Sequence, residues 1–151
     1  MSYFIGSVVP EEFREIISNN KPDVDDVRWV KPGKYHITFE YFAELPIELR
    51  QEVYRKVRAL SEYFPLQCEA KCYSGFPSYR KARVIIVRLE LANFEVASVC
   101  DDKRFNPHVT VGYARNRAVF VPQKPLDHTF SFSRPALFRS EKGVYTEITR
   151  F

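Results

Sequence analysis

Three histidines occur in this chain, and two of them sit in matching surroundings. His36 lies in YHITFEYF, residues 35–42, and His108 lies in PHVTVGYA, residues 107–114. In each stretch a threonine follows two residues later, Thr38 in the first and Thr110 in the second, and the positions between are apolar. Residues two apart on a β-strand point the same way, roughly 7 Å apart along the chain. His36 and Thr38 are therefore expected on one face of a strand, and His108 and Thr110 on one face of another. Ile37, Phe39, Val109 and Val111 would then turn toward a core. A strand buried on one side and carrying a His–Thr pair on the other is suited to be the wall of a cleft.

Two such walls fit a phosphate. One imidazole can take a proton from an attacking water while a second gives one to the leaving oxygen. Histidine suits both tasks because its ordinary pKa lies near neutrality. Threonine hydroxyls can donate hydrogen bonds to the non-bridging phosphate oxygens. His128, in LDHTFSF, has its threonine in the next position, so the two side chains would face opposite ways. It reads as surface or sheet packing.

The elements that must carry these pairs follow from periodicity and punctuation. SYFIGSVV reads as a strand. PEEFREIISNN reads as a helix, with Pro10 at its start, acids in its first turn and Phe13, Ile16 and Ile17 on one face. VRWV and YHITFEYF read as strands separated by the KPGK turn. PIELRQEVYRKVRALSEYF is the clearest helix, with Ile47, Val53, Val57 and Leu60 at helical spacing. PLQCEAKCYSGF, RVIIVRLEL and NPHVTVGYA read as strands, with a short helix or turn in ANFEVASVC. HTFSFSRPALF is β-rich, and SEKG marks a hairpin turn into VYTEITRF. Strand, helix and strand ending in HITF thus recur as strand, short helix and strand ending in HVTV, with the histidines 72 positions apart in a chain of 151. The expectation is one domain, residues 1–151, of two similar lobes that each lend a strand to a shared cleft.

Composition sets the class. Hydrophobic residues make up 45% and charged residues 28%, as in ordinary globular proteins. The net charge of +4 permits an anionic partner without requiring one. No secretory leader and no membrane-spanning run is read, so the expected location is the cytoplasm. An odd count of cysteines, Cys68, Cys72 and Cys100, suggests reduced thiols, with Cys68 and Cys72 on one face of their strand.

With the paired H-x-T motifs in view, the sequence resembles the two-histidine (2H) phosphoesterases, specifically the RNA 2′,3′-cyclic phosphodiesterases, also called 2′-5′ RNA ligases. SYFIGSVVPEEFREI is similar to that family's opening strand and helix. VRWVKPGKYHITFEYF and RFNPHVTVGYAR resemble its two motif stretches, FPSYRKARVIIV the strand before the second lobe, and ALFRSEKGVYTEITRF its closing hairpin. The resemblance implies an α+β fold in two pseudo-symmetric lobes, each an antiparallel sheet with helices on the outer face and the cleft between. It implies opening of a 2′,3′-cyclic phosphate to a 2′-phosphate, without a metal or cofactor, by a protein expected to be a monomer. His36 would give the proton to the leaving 3′ oxygen, His108 would activate water, and Thr38 and Thr110 would hold the phosphate. The substrate would be an RNA end, such as a tRNA fragment, or a cyclic nucleotide.

Two positions depart from the family pattern. Glu40 stands where a lysine is common, and on a regular strand it would share the cleft face with His36 and Thr38. Tyr113 stands where an arginine is usual, which leaves Arg115 as the candidate phosphate ligand if the strand ends or bulges. Arg80, Lys81 and Arg83 in the YRKAR loop are candidates to track an RNA backbone, with Phe76 or Tyr79 stacking on a base; a solvated loop would have the same composition. Glu40 and Tyr113 also motivate a second reading, a module that binds nucleotides or RNA ends without catalysis. A third keeps the chemistry and changes the substrate to another small cyclic phosphodiester.

Overall fold

The computed structural model describes residues 1–93, 95–99 and 105–148. Nine strands form one antiparallel sheet: β1 (Ser2–Val8), β2 (Val27–Trp29), β3 (His36–Phe42), β4 (Leu66–Pro77), β5 (Ala82–Leu91), β6 (His108–Ala114), β7 (Pro125–Phe132), β8 (Ala136–Glu141) and β9 (Val144–Glu147). Three α-helices interrupt them: α1 (Glu11–Asn19), α2 (Ile47–Ser61) and α3 (Val96–Val99). The β-rich stretch HTFSFSRPALF divides into β7 and β8 because Pro135, lacking an N–H, stands between them. Cys100 and the end of ANFEVASVC lie outside the described residues, as do the last residues of VYTEITRF. Among the described residues no helix is long and apolar enough to cross a membrane.

Strand order is β7-β4-β5-β6-β3-β1-β8-β9, with β2 also on β6. The sheet has two halves, five strands (β7, β4, β5, β6 and β2) and four (β3, β1, β8 and β9), meeting at β3 and β6, which share a single registered pair, Ile37 opposite Val109. Each half is well paired internally. This is the expected two-lobed α+β duplication, and the seam runs between the two motif strands.

All three helices pack on one face of the sheet. Phe13 and Ile17 of α1, Val53 and Leu60 of α2, and Val96 of α3 join the same buried cluster as Ile37, Phe39, Val109 and Val111. The helices interleave the lobes: α1, which links β1 toward β3, lies on the other lobe. Its Phe13 stacks on Phe130 of β7 at 4.0 Å, and the Tyr73 hydroxyl of β4 donates to the Ile17 carbonyl. Burying these side chains supplies on the order of 2 kcal/mol each, so the two lobes are held together by the core as well as by the seam. Among the described residues the opposite face of the sheet carries no α-helix. Phe4, Ile86 and Ala136 are buried there without belonging to the main cluster.

Both motif strands contain a bulge at the same place. β1 pairs Gly6 with Thr38 and Ile5 with Glu40, which leaves Phe39 as an extra residue. β5 pairs Ile86 with Thr110 and Ile85 with Gly112, which leaves Val111 extra. The extra residue lies three positions after the histidine in each case. Gly6 permits the close approach at the first bulge, since a Cβ there would sit 2.4 Å from the Ile37 carbonyl oxygen. A third register shift, between Ala70 and Cys72, corrects the expectation for the cysteines: Cys68 is buried opposite Leu91, while Cys72 pairs with exposed Arg88 on the other face.

Candidate active site

The Ile37–Val109 pair sets the geometry of the seam. In an antiparallel register centred there, His36 faces Thr110 across the strands and Thr38 faces His108. All four side chains lie on the helix-free face and are half-buried. His36, Thr38 and Thr110 line a cavity of about 220 Å³. His108 lines an adjoining hollow of about 370 Å³, which shares Thr38 and Tyr41 with the first. The two histidines are close enough that His108 acts electrostatically on His36.

The imidazoles are held in the same way. His36 Nδ1 donates to the Lys34 carbonyl at 2.8 Å, and His108 Nδ1 donates to the Asn106 carbonyl at 2.7 Å. A carbonyl only accepts, so each Nδ1 carries the hydrogen and each Nε2 is left as the working nitrogen. In each case the carbonyl comes from two residues back; for His36 it belongs to the last residue of the 3-10 turn Pro32–Lys34. Aromatic rings complete the support. Phe4 stacks on His36 at 4.6 Å and Tyr145 meets it edge-on at 5.1 Å, while Phe76 meets His108 edge-on at 5.0 Å. Burial of the ring pushes the His36 pKa below its ordinary value; the Lys34 carbonyl works against this, and the neighbouring His108 charge adds to it.

The bulges decide which later residues reach the cleft. Past Phe39 the alternation is reversed, so Tyr41, paired with Phe4, continues the His36–Thr38 face. Glu40 instead turns toward α2, where Lys56 Nζ holds its carboxylate at 3.0 and 3.1 Å. The expectation that Glu40 shares the face of His36 and Thr38 is thereby corrected: it is absent from the lining of the cavity they share, lines the hollow beside His108, and pairs its charge with Lys56. The Val111 bulge does the same for Tyr113, which lines the main cavity with Tyr41.

Arg115 lies at the exposed end of β6, its backbone N–H donating to the Asp26 carbonyl, and it lines neither cavity. Arg80, Lys81 and Arg83 are exposed and also line neither; Arg80 donates to the hydroxyl of its neighbour Tyr79 at 3.1 Å. Of the expected RNA contacts only Phe76 reaches the site. His128 is exposed on β7 with its ring edge-on to Phe13, away from both cavities.

Sequence reading did not single out Phe4, Lys34, Tyr41 or Tyr145 as site residues, yet all four line the main cavity. Tyr145 arrives on the β8–β9 hairpin, whose turn places Lys142 and Gly143 at positive φ. That hairpin is pinned by Arg134, which grips Glu147 through two bonds of 2.6 and 2.7 Å. Burial, aided by Tyr113, pushes the Tyr145 hydroxyl pKa up, so it keeps its proton. A signal for Tyr41 and Tyr113 was present: both motifs extend to H-x-T-x-x-Y.

Two lobes fused at a seam, helices on one face and a paired His–Thr cleft on the other define a two-lobed α+β architecture. Solved structures with this fold cover the whole chain. The protein TT0787 of Thermus thermophilus superposes with a TM-score of 0.77 at 24% identity, over 100% of this chain and 97% of that one. A protein described as a phosphoesterase gives 0.71 at 17%, over 99% and 96%. E. coli LigT, solved with NADP+, gives 0.69 at 17%, also over 99% and 96%. By sequence, no family model and no curated protein matches the chain.

Proposed function

We propose that this chain is a two-histidine phosphoesterase acting as an RNA 2′,3′-cyclic phosphodiesterase, with residues 1–151 forming one catalytic domain. The observation that carries this reading is the crossed pair of motifs at the seam, each imidazole locked through Nδ1 with its Nε2 free. A phosphorus atom between the strands would meet one histidine and one threonine from each side. His108 Nε2 takes a proton from water as the water oxygen bonds to phosphorus. The bond to the 3′ oxygen breaks, and His36 Nε2–H protonates it, which leaves a 2′-phosphate and a 3′-hydroxyl. Thr38 and Thr110 donate to the non-bridging oxygens as charge builds there.

The lowered pKa of His36 fits this assignment once the ligand is included. Burial favours the neutral ring, and an anionic phosphate beside it would restore its proton. The donor is thus charged when substrate is present. With a 5′-hydroxyl in place of water, the same transfers join two RNA ends through a 2′-5′ linkage. E. coli LigT, similar in fold, has been solved with phosphate and with 3′-AMP, ligands of the chemical kind this cleft suits. The turn of Glu40 toward Lys56 takes its carboxylate out of the cavity lined by His36, Thr38 and Thr110, which supports chemistry over binding alone.

The test is incubation with an oligonucleotide ending in a 2′,3′-cyclic phosphate, in EDTA. Conversion to the 2′-phosphate, lost in His36→Ala and His108→Ala, is expected. No turnover, or turnover indifferent to both substitutions, would sink the reading.

A further inference from the structure

Beside the main cavity, and sharing Val30, Lys34, Tyr113 and Tyr145 with it, lies a second depression of about 350 Å³. Arg28, Trp29, Lys31, Lys34, Tyr113 and Tyr145 line it. Its lining holds three cations and no acid. None of the three cations has a carboxylate partner among the described residues, whereas Lys56, Lys71 and Arg134 elsewhere do. Arg28 is the cross-strand partner of Tyr113, and its guanidinium lies over that ring at 5.1 Å. The Lys34 ammonium lies 5.7 Å from the centre of the Tyr145 ring. The hollow on the opposite side of the cleft, beside His108, differs: it has Glu40 and no lysine or arginine among its lining residues. Arg88 pairs with His108 but does not line that hollow.

From this asymmetry we infer that an RNA strand leaves the cleft across β2, with its next phosphates on Arg28 and Lys31 and a base against Tyr113 or Tyr145. The inference rests on the phosphodiesterase reading for the end group, and it gives the strand a direction. Unpaired cations interleaved with aromatic faces are what a single strand requires: charge follows the backbone, and rings accept any base. It also places the missing arginine of the second motif. Tyr113 occupies that strand position, and β2 brings a guanidinium onto its ring from the neighbouring strand. The same path leaves the YRKAR loop outside the interface.

Arg28 and Lys31 are exposed, so an Arg28→Ala/Lys31→Ala variant keeps the core intact. Binding is measured first, because it does not depend on turnover. Trp29 is the chain's one tryptophan and lines the depression, so its fluorescence reports occupancy. A tetranucleotide ending in a 2′-phosphate should bind wild type about tenfold more tightly than the matching mononucleotide. The double variant should lose that advantage, and the slope of log affinity against log salt should fall by about one per cation removed. Equal binding of tetranucleotide and mononucleotide by wild type, or an advantage the variant retains, would overturn the path. The same comparison of kcat/KM on the two cyclic phosphates follows. Turnover of neither, with tetranucleotide binding and its loss as expected, would overturn the catalytic reading and leave the strand path standing.

Discussion

The two motif strands are near copies with unequal surroundings. Each has a histidine whose Nδ1 donates to a carbonyl two residues back, a threonine two residues on, a bulge at the third position and a tyrosine at the fifth. What differs is the packing around the rings. His36 is held between Phe4 and Tyr145, while His108 meets only the edge of Phe76 among the aromatic contacts described. A repeated local code therefore builds two equivalently held imidazoles, and the neighbouring strands pack them differently. The tighter packing lowers the pKa of His36, the ring proposed as proton donor, so that role depends on a bound phosphate restoring its proton.

The largest effect comes from removing either ring. His36→Ala and His108→Ala should each lower kcat by about a hundredfold to ten-thousandfold. The double variant should be little worse than either single one, because the two act as a unit. If one substitution is silent, the two strands are not partners in catalysis. Next, Thr38→Val and Thr110→Val should each cost about a hundredfold in kcat, the scale of one lost oxyanion donor. Similar losses at both positions would support the crossed arrangement; a loss at only one would place the phosphate off the seam.

The repeat was legible because its signals are local. A period of two, a polar pair on an apolar strand and matched spacing are all visible without a structure. The helices and strands were legible for the same reason, and so was the inward turn of Ile37, Phe39, Val109 and Val111. The bulges were not, since nothing in FEY or VGY announces an extra residue; only pairing with β1 and β5 creates it. That one feature turned Glu40 away and brought in Tyr41 and Tyr113. Lys34 and Tyr145 were missed because their places depend on a turn and a hairpin meeting across the cleft. Arg115 was put forward by sequence distance, yet the cation on Tyr113 comes from β2, which pairs with β6 only through the fold.

Smaller effects test how packing makes the two histidines unequal. Burial lowers the His36 pKa, so the kcat/KM limb assigned to it should lie below the ordinary value of 6.5. Phe4→Ala lets water onto the ring and should move that limb up toward 6.5, while Phe76→Ala leaves it in place. Stability carries the same sign. Between the lowered folded pKa and 6.5, the unfolded chain binds more protons than the folded one. The His36 contribution is therefore full above pH 6.5 and is lost as pH falls through the folded pKa. Chemical denaturation across this range should show a slope in wild type that His36→Gln flattens. An unchanged slope would mean that burial does not set the protonation of this ring.

The smallest effect concerns the residue that looked most disruptive. Glu40 and Lys56 are each mostly buried, with 14% and 16% of their side chains exposed. Solvent still screens the pair, so its coupling should be about 1 kcal/mol, nearer an exposed ion pair than a fully buried one. A double-mutant cycle of Glu40→Gln and Lys56→Met, read by denaturation, measures it. Because the Phe39 bulge directs this carboxylate to α2, Glu40→Gln should change stability and leave inorganic phosphate affinity within about twofold. A large gain in phosphate affinity would mean that the carboxylate still faces the anion, and that the first bulge does not separate the charge of its strand from the cleft.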